Sequence, residues 1–379
     1  MDIGFDAKRV FHNATGLGNY SRDVLRILAC HRPEHAYHAY SPRPGPLPSA
    51  LPAGALQVHG PRSLVGRAFP ALWRTRGIVS DLRADRIRLF HGLSNELPLG
   101  IERAGIASVV TIHDLIFERL PELYPPIDRR IYAAKARSAV RRASVVVAIS
   151  EQTKRDLVAL YGVAEARIRV VYQTCHEAFR APVPDDTLRE VAQRYELPAT
   201  FLLAVGTLER RKNLLLALRA LEGLPDVPLV AVGRPTPYAT ELAAFARAHG
   251  LAGRFRMLAG VSTADLAAMY RLATAALYPS LYEGFGLPIV EALFSGTPVV
   301  TTRGGCFEEA GGPGSAYVDP HDADALRAVL AEILRSPERR ARMRAEGLRH
   351  AVRFSEEAIA AALAGVYEAA AGPVTATGR

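Results

Sequence analysis

Cysteine is scarce in this chain, and the three present, Cys30, Cys175 and Cys306, have neither CxxC spacing nor histidines at metal-ligand distance in sequence. A disulfide framework and a structural zinc site are therefore not what organises it, and a reducing compartment is expected. No apolar run approaches the ~20 residues that a membrane-spanning helix needs. The amino terminus, MDIGFDAKRV, carries two aspartates where a secretory leader has basic residues followed by an apolar stretch. The expected location is the cytoplasm, free or peripheral on the inner face of the membrane. A GxGxxG fingerprint, a DxD element before a strand end and any recognised DNA- or RNA-binding motif are also lacking, which disfavours nicotinamide and nucleic acid as ligands.

What the chain does have is apolar content, 49% of 379 residues, enough for two packed cores. Short β-branched runs alternate with Ala/Leu-rich amphipathic stretches, the pattern of βα units with parallel sheets, so the fold class is α/β. The first half predicts strands at 2–5, 38–41, 56–59, 87–91, 109–113, 145–149 and about 168–172. Ser150 is a fitting helix N-cap. Pro182, Pro184 and Pro198 bracket a helical bridge, and the domain boundary is set near residue 181. FLLAVGTL, VPLVAVGR, FRMLAGV, AALYPSL and PVVTTRG then restart the strand pattern. Helices are predicted over 323–335, 338–353 and 355–370, before a Gly/Pro/Thr tail.

Charge is unevenly shared. Residues 1–180 contain 26 Lys+Arg against 16 Asp+Glu, whereas residues 181–379 contain 21 against 22. A basic first half points to an anionic partner, either phospholipid or a lipid diphosphate ahead of nucleic acid. Residues 62–88 concentrate it, with seven arginines interleaved with Leu64, Val65, Phe69, Leu72 and Trp73. That stretch suits either an anionic membrane surface or a surface helix packed on the sheet by its apolar face.

The most informative segment is YPSLYEGFGLPIVEALFSGTP, residues 278–298. A strand ends near Ser280, Gly284 and Gly286 open the backbone, and a helix starts at about Leu287, a turn that can aim amide N–H groups at a phosphate. Glu283 and Glu291 flank it. With ~1.5 Å of rise per helical residue they stand too far apart for an acid/base pair, and better suit hydroxyls on different parts of an extended ligand. An ordinary acidic helix N-terminus has the same pattern. In AVGTLERRKNL, Gly206 ends a strand and Arg210, Arg211 and Lys212 cluster before the next helix, as a diphosphate or a solvated charge run would require. Thr15-Gly16-Leu17-Gly18-Asn19-Tyr20 reads as a short loop that brings Gly16 or Gly18 close to a ligand phosphate. His113, ending an apolar strand, suits a sugar hydroxyl, a general-base role or a structural one. His91 invites the same reading.

Together, Glu283-GFGLPIV-Glu291 with ALFSGTPVV, AVGTLERRKNL, TIHDL and AISEQTKRDL resemble the retaining glycosyltransferases of family 4, over most of the chain. The resemblance implies a GT-B fold, two facing Rossmann-like domains with an interdomain cleft. The first, residues 1–180, would bind the acceptor and the second, residues 181–354, the nucleotide sugar; residues 355–379 would return as a helix to the first. It further implies that Arg211 and Lys212 hold the donor diphosphate and Glu291 the ribose. Glu283 and the backbone of Gly284, Phe285, Gly286 and Leu287 would contact the donor sugar beside Gly206, with His113 and Gly16 facing it from the first domain. No metal and no cofactor are expected, the nucleotide sugar being a substrate. The motif set is similar to bacterial mannosyltransferases of surface-polysaccharide and lipopolysaccharide synthesis, which implies GDP-mannose as donor, with UDP- and dTDP-sugars as the alternatives, and a glycan or lipid-linked acceptor. Two departures stand out: Thr207 where relatives carry arginine, and Glu356 where they often carry an aromatic. A sugar-nucleotide epimerase or a catalytically silent scaffold of the same fold are the alternatives.

Overall fold

Buried β-branched runs form the strands, and in the computed structural model their pairings are parallel. The structure describes residues 1–13, 16–46, 51, 54–224 and 226–372. Thr15 and the tail beyond Gly372 lie outside the described residues.

The first sheet contains β1 (Asp2–Asp6), β2 (Ala36–Tyr40), β3 (Leu56–His59), β4 (Leu89–Gly92), β5 (Ala107–Ile112), β6 (Val145–Ala148) and β7 (Ile168–Val170), in the order β3-β2-β1-β4-β5-β6-β7. The second contains β8 (Leu202–Val205), β9 (Leu229–Val232), β10 (Phe255–Leu258), β11 (Ala275–Tyr278), β12 (Val299–Thr302) and β13 (Ala316–Val318), in the order β10-β9-β8-β11-β12-β13. Strand order reverses at β1/β4 in one sheet and at β8/β11 in the other. At such switch points the loops leaving neighbouring strands diverge to opposite faces and open a crevice at the carboxyl edge.

The described residues form two compact units, Met1–Gln173 with the segment from Ser355 onward, and Thr174–Phe354. Their division falls before the boundary read near residue 181, because Phe179 is buried with its ring 5.7 Å from that of Tyr270 in the second unit. The final helix, Glu356–Ala371, buries Ile359, Leu363, Val366 and Tyr367 in one cluster with Ile3, Phe5, Leu25 and Leu28. Each such side chain contributes about 1.5–3 kcal/mol by leaving water.

Several local expectations shift. From Gly16 onward the glycine-rich segment is helix and not loop, the helix running from Gly16 to His31. Residues 62–88 do not form one helix. Phe69 and Pro70 break it, giving helices Leu64–Ala68 and Pro70–Leu72, a π-helical turn Trp73–Gly77, and a helix Ile78–Ala84. Trp73 is buried and its indole N–H donates to Asp81 at 2.7 Å, whereas Leu64, Val65, Phe69 and Leu72 are exposed.

Candidate functional site

The switch point of the second sheet gathers the two segments that carry the sequence signal. After β8, residues Arg210–Lys212 make a 3-10 turn, closed by Lys212 N–H to Glu209 O at 3.0 Å, and Asn213 adopts a left-handed φ of 55° before the helix Leu214–Glu222. The turn separates the three cations. Arg210 points outward and pairs with Glu241 at 2.7 Å, while Arg211 and Lys212 turn inward. Arg211, then, is the one that joins the cluster. Gly206 has φ of 140°, a region closed to ordinary L-residues, and a Cβ there would lie 3.2 Å from Lys212 Cε. Glycine at this position lets the lysine stem cross the strand end.

After β11, residues 279–286 bring Glu283 to the same point. Its carboxylate takes Lys212 Nζ at 2.6 Å on Oε1 and Arg211 Nη1 at 2.5 Å on Oε2. Lys212 also donates to Tyr278 Oη at 2.8 Å, and Arg211 to the Tyr282 carbonyl at 2.7 Å and to Glu209 at 2.6 Å. Burial alone would raise the Glu283 carboxyl, but Lys212 and Arg211 hold it down at about 2. Glu283 is thus an anion throughout the physiological range and the counter-ion of both cations.

The helix Leu287–Phe294 starts from Gly286, whose φ of 110° turns the chain inward. Its anion-binding capacity is smaller than the sequence implied. Pro288 has no N–H and the Ile289 amide closes on Gly286 O at 2.9 Å, so the amides of Gly286 and Leu287 are the ones this turn can offer. Gly284 lies in the bend before them, and the Phe285 ring is core, packed 5.4 Å from Phe354, which leaves only its backbone for a ligand. Glu291 stands one turn into the helix and accepts from Tyr270 Oη at 3.0 Å. Burial lifts its carboxyl to about 7, with the Tyr270 hydroxyl and the Lys212 charge only partly opposing it. The two glutamates therefore differ sharply: one is fixed as an anion and the other titrates near neutrality.

Three neighbours carried no sequence signal of their own. Tyr278 brackets Lys212 by hydrogen bond and by its ring, 4.7 Å from Nζ. Cys306 donates its thiol to Glu283 O at 3.4 Å. Ser280 Oγ is buried without a hydrogen-bond partner among the described residues and lines a small cavity with Gly206 and Lys212.

The candidates of the first half lie in the first unit. His113 follows β5, buried. Its Nε2 faces Leu93 O at 2.9 Å and so carries the proton, and its Nδ1 accepts from Gln173 Nε2 at 3.2 Å. Tyr20 packs edge-on at 4.6 Å. Burial lowers the ring to about 4, and with both nitrogens engaged the arrangement favours positioning over general-base work. His91 is also fully buried, bonded to Tyr367 Oη at 2.9 Å and Thr111 Oγ1 at 2.8 Å, a structural network. Gly16 faces open space, whereas a Cβ on Gly18 would lie 1.8 Å from the Asn13 carbonyl oxygen, so the close approach of that carbonyl requires glycine at this position.

Known proteins match these features. A family model for "Glycosyl transferases group 1" covers residues 189–350 and one for "Glycosyltransferase Family 4" covers residues 15–175. The chain is 29% identical to O-antigen chain mannosyltransferase B of Escherichia coli, over 94% of this chain and 97% of that protein. It is 32% identical to the MMP alpha-(1->4)-mannosyltransferase of Mycolicibacterium hassiacum, over 73% and 69% of the two chains. Among solved structures, a glycosyltransferase from Rickettsia africae superposes with a TM-score of 0.76 at 16% identity, covering 98% of this chain and 99% of that one. HepE of Anabaena in complex with UDP-glucose does so with 0.74 at 18% identity, over 97% and 99%. These likenesses establish the GT-B fold, and with the sequence matches they make this chain a member of the family 4 glycosyltransferases.

Proposed function

We propose that the enzyme transfers mannose from GDP-mannose, with retention of configuration and without a metal, to a glycan or lipid-linked acceptor of surface-polysaccharide synthesis. The observation that carries the donor half is the convergence of Arg211, Lys212, Glu283 and Glu291 on the β8/β11 switch point. A nucleoside diphosphate sugar brings two negative charges to Arg211 and Lys212, which share the Glu283 carboxylate while Arg211 also pairs with Glu209. When it binds, Arg211 and Lys212 take the phosphate oxygens and Glu283 turns its lone pairs to sugar hydroxyls, while Glu291 accepts from the ribose.

In the transfer itself the acceptor oxygen bonds to the anomeric carbon on the face from which the diphosphate oxygen departs. The acceptor proton passes to that diphosphate, and the charge growing on it is stabilised by Lys212 and Arg211 in place of a divalent ion. The mannose assignment rests on the named activities of the two relatives described above. Thermal-shift measurements with GDP-, UDP-, dTDP- and ADP-sugars test it: GDP-mannose should raise the melting temperature most, by mass action. A larger shift with another donor overturns the assignment. Incubation with donor alone separates transfer from epimerisation, which would need no acceptor.

We propose also that the enzyme works against the cytoplasmic face of an anionic membrane. No helix among the described residues is long and apolar enough to cross one. Leu64, Val65, Phe69 and Leu72 nevertheless stand 54–80% exposed beside Arg62, Arg67 and Arg76, which supports an interfacial contact. Vesicles containing anionic phospholipid should retain the protein at low salt and release it at high salt; equal binding to neutral vesicles would refute this reading.

A further inference from the structure

The cations of the β8/β11 switch point do not answer to Glu283 alone. Arg211 Nη1 meets Glu283 and the Tyr282 carbonyl, while Nη2 donates to Glu209 Oε1 at 2.6 Å. Glu209 stands at the N-cap of the Arg210–Lys212 turn. Its backbone is pinned there, the N–H donating to Thr207 O at 2.9 Å and the carbonyl accepting from the Lys212 N–H at 3.0 Å, so its side chain is the part left to move. Arg211 and Lys212 carry two positive charges and Glu283 and Glu209 two negative ones, which makes the cluster neutral as it stands.

The two carboxylates are not equivalent. The Glu283 side chain is 10% exposed and pairs with both cations, whereas that of Glu209 is 38% exposed and pairs with Arg211. If both stayed in place, a diphosphate with its two charges would leave the site doubly negative, and the repulsion would oppose binding. Glu283 cannot withdraw without uncovering buried Lys212. Glu209 can: it already faces water, and an ion pair with so exposed a partner is cheaply exchanged for hydration. Its departure frees Nη2 of Arg211 for a phosphate oxygen, and the Tyr282 carbonyl and Glu283 still fix the other end of the guanidinium.

We infer that Glu209 is a positioning residue acting through Arg211: its carboxylate orients the guanidinium before the donor arrives, yields it to the diphosphate, and competes for it again as the nucleoside diphosphate leaves. The inference rests on the reading of Arg211 and Lys212 as the cations of the donor diphosphate. It predicts the reverse of what loss of a merely structural ion pair would give. Glu209→Gln keeps an oxygen that can accept from Nη2 and removes only the charge. Isothermal titration of the full-length protein with GDP, UDP, dTDP and ADP should find the best-bound diphosphate held about two- to fivefold tighter by this variant, the worth of such a pair. Stopped-flow dissociation should slow by the same factor, with the melting temperature of the free protein unchanged. Glu241→Gln removes an equal charge from the neighbouring pair with outward-pointing Arg210 and should leave the affinity as it is. In an Arg211→Ala background Glu209→Gln should add nothing, because its effect passes through that guanidinium. Unchanged or weaker diphosphate binding by Glu209→Gln, an equal gain from Glu241→Gln, or a gain that survives Arg211→Ala overturns the inference and leaves the donor site standing. If neither the wild type nor the variant binds any of the four diphosphates, the donor reading falls and this inference falls with it.

Discussion

Glu283 and Lys212, 71 residues apart in sequence, meet at 2.6 Å across the β8/β11 switch point. The pair gives Lys212 a fixed direction before any ligand arrives, so little reorganisation accompanies the build-up of charge on the leaving diphosphate. Lys212→Ala is expected to lower kcat about 100- to 1,000-fold, the usual effect of deleting one such charge-stabilising group. The fold should persist, since Arg211 continues to neutralise Glu283. Steady-state kinetics beside a melting curve checks both halves; a variant with near-normal kcat refutes the role.

Glu356 marks a different use of charge. Arg26 donates to both of its oxygens at 2.8 Å, tying the start of the final helix to the Gly16–His31 helix within the first unit. With Glu356 only 7% exposed, the pair is buried enough that removing one partner strands the other. Glu356→Ala is expected to destabilise the first unit by about 3–5 kcal/mol and lower its melting midpoint by roughly 10 °C. Calorimetry that registers no change would show the helix to be held by its apolar face alone.

Parallel strands, their carboxyl-end loops and the inward role of Lys212 were readable from the sequence because each is local. An apolar run, a glycine and a basic cluster sit within ten residues of one another. What escaped depends on register. Tyr278 reaches Lys212 because β11 lies beside β8 with Leu277 opposite Ala204. The ion pairs of Arg74 with Asp6 and Glu96 join the end of β1, a π-helical turn and the loop after β4, and no periodicity announces them. The three-residue strand β13 is too short to show alternation. His113 was correctly located at a strand end, but its two engaged nitrogens could be learned only from Leu93 and Gln173, each far off in sequence. The open space at Gly16 and the crowding at Gly18 likewise depend on where Asn13 folds back.

The buried histidines make stability depend on pH. His91 is lowered to about 3 and His113 to about 4, both by burial, against an ordinary value of 6.5. Between pH 6.5 and 4 the unfolded chain therefore binds protons that the folded one refuses, and stability falls as pH falls. The melting temperature should drop steadily from pH 7 to pH 5. His91→Gln should flatten that slope while lowering the plateau, because Gln cannot satisfy both Tyr367 and Thr111 as the ring does. NMR titration should find neither imidazole protonated above pH 5; a midpoint near 6.5 for either would contradict its burial.

Glu291 titrates in the opposite sense and reports on the donor. Its carboxyl, raised to about 7, is largely protonated at pH 6 and largely ionised at pH 8. Only the ionised form offers acceptors alone to the two ribose hydroxyls, so nucleotide binding should draw the proton off and tighten as pH rises. A group with this pKa is about one-tenth ionised at pH 6, which makes the expected loss of affinity between pH 8 and pH 6 about tenfold. Glu291→Gln, incapable of ionising, should bind weakly at both values with a flat profile. Isothermal titration with the stabilising nucleoside diphosphate at the two pH values makes the comparison. The phosphate's own second ionisation near pH ~6 is common to both proteins, so only the difference between their slopes is assigned to Glu291. Equal slopes would show that the ribose does not engage this carboxylate.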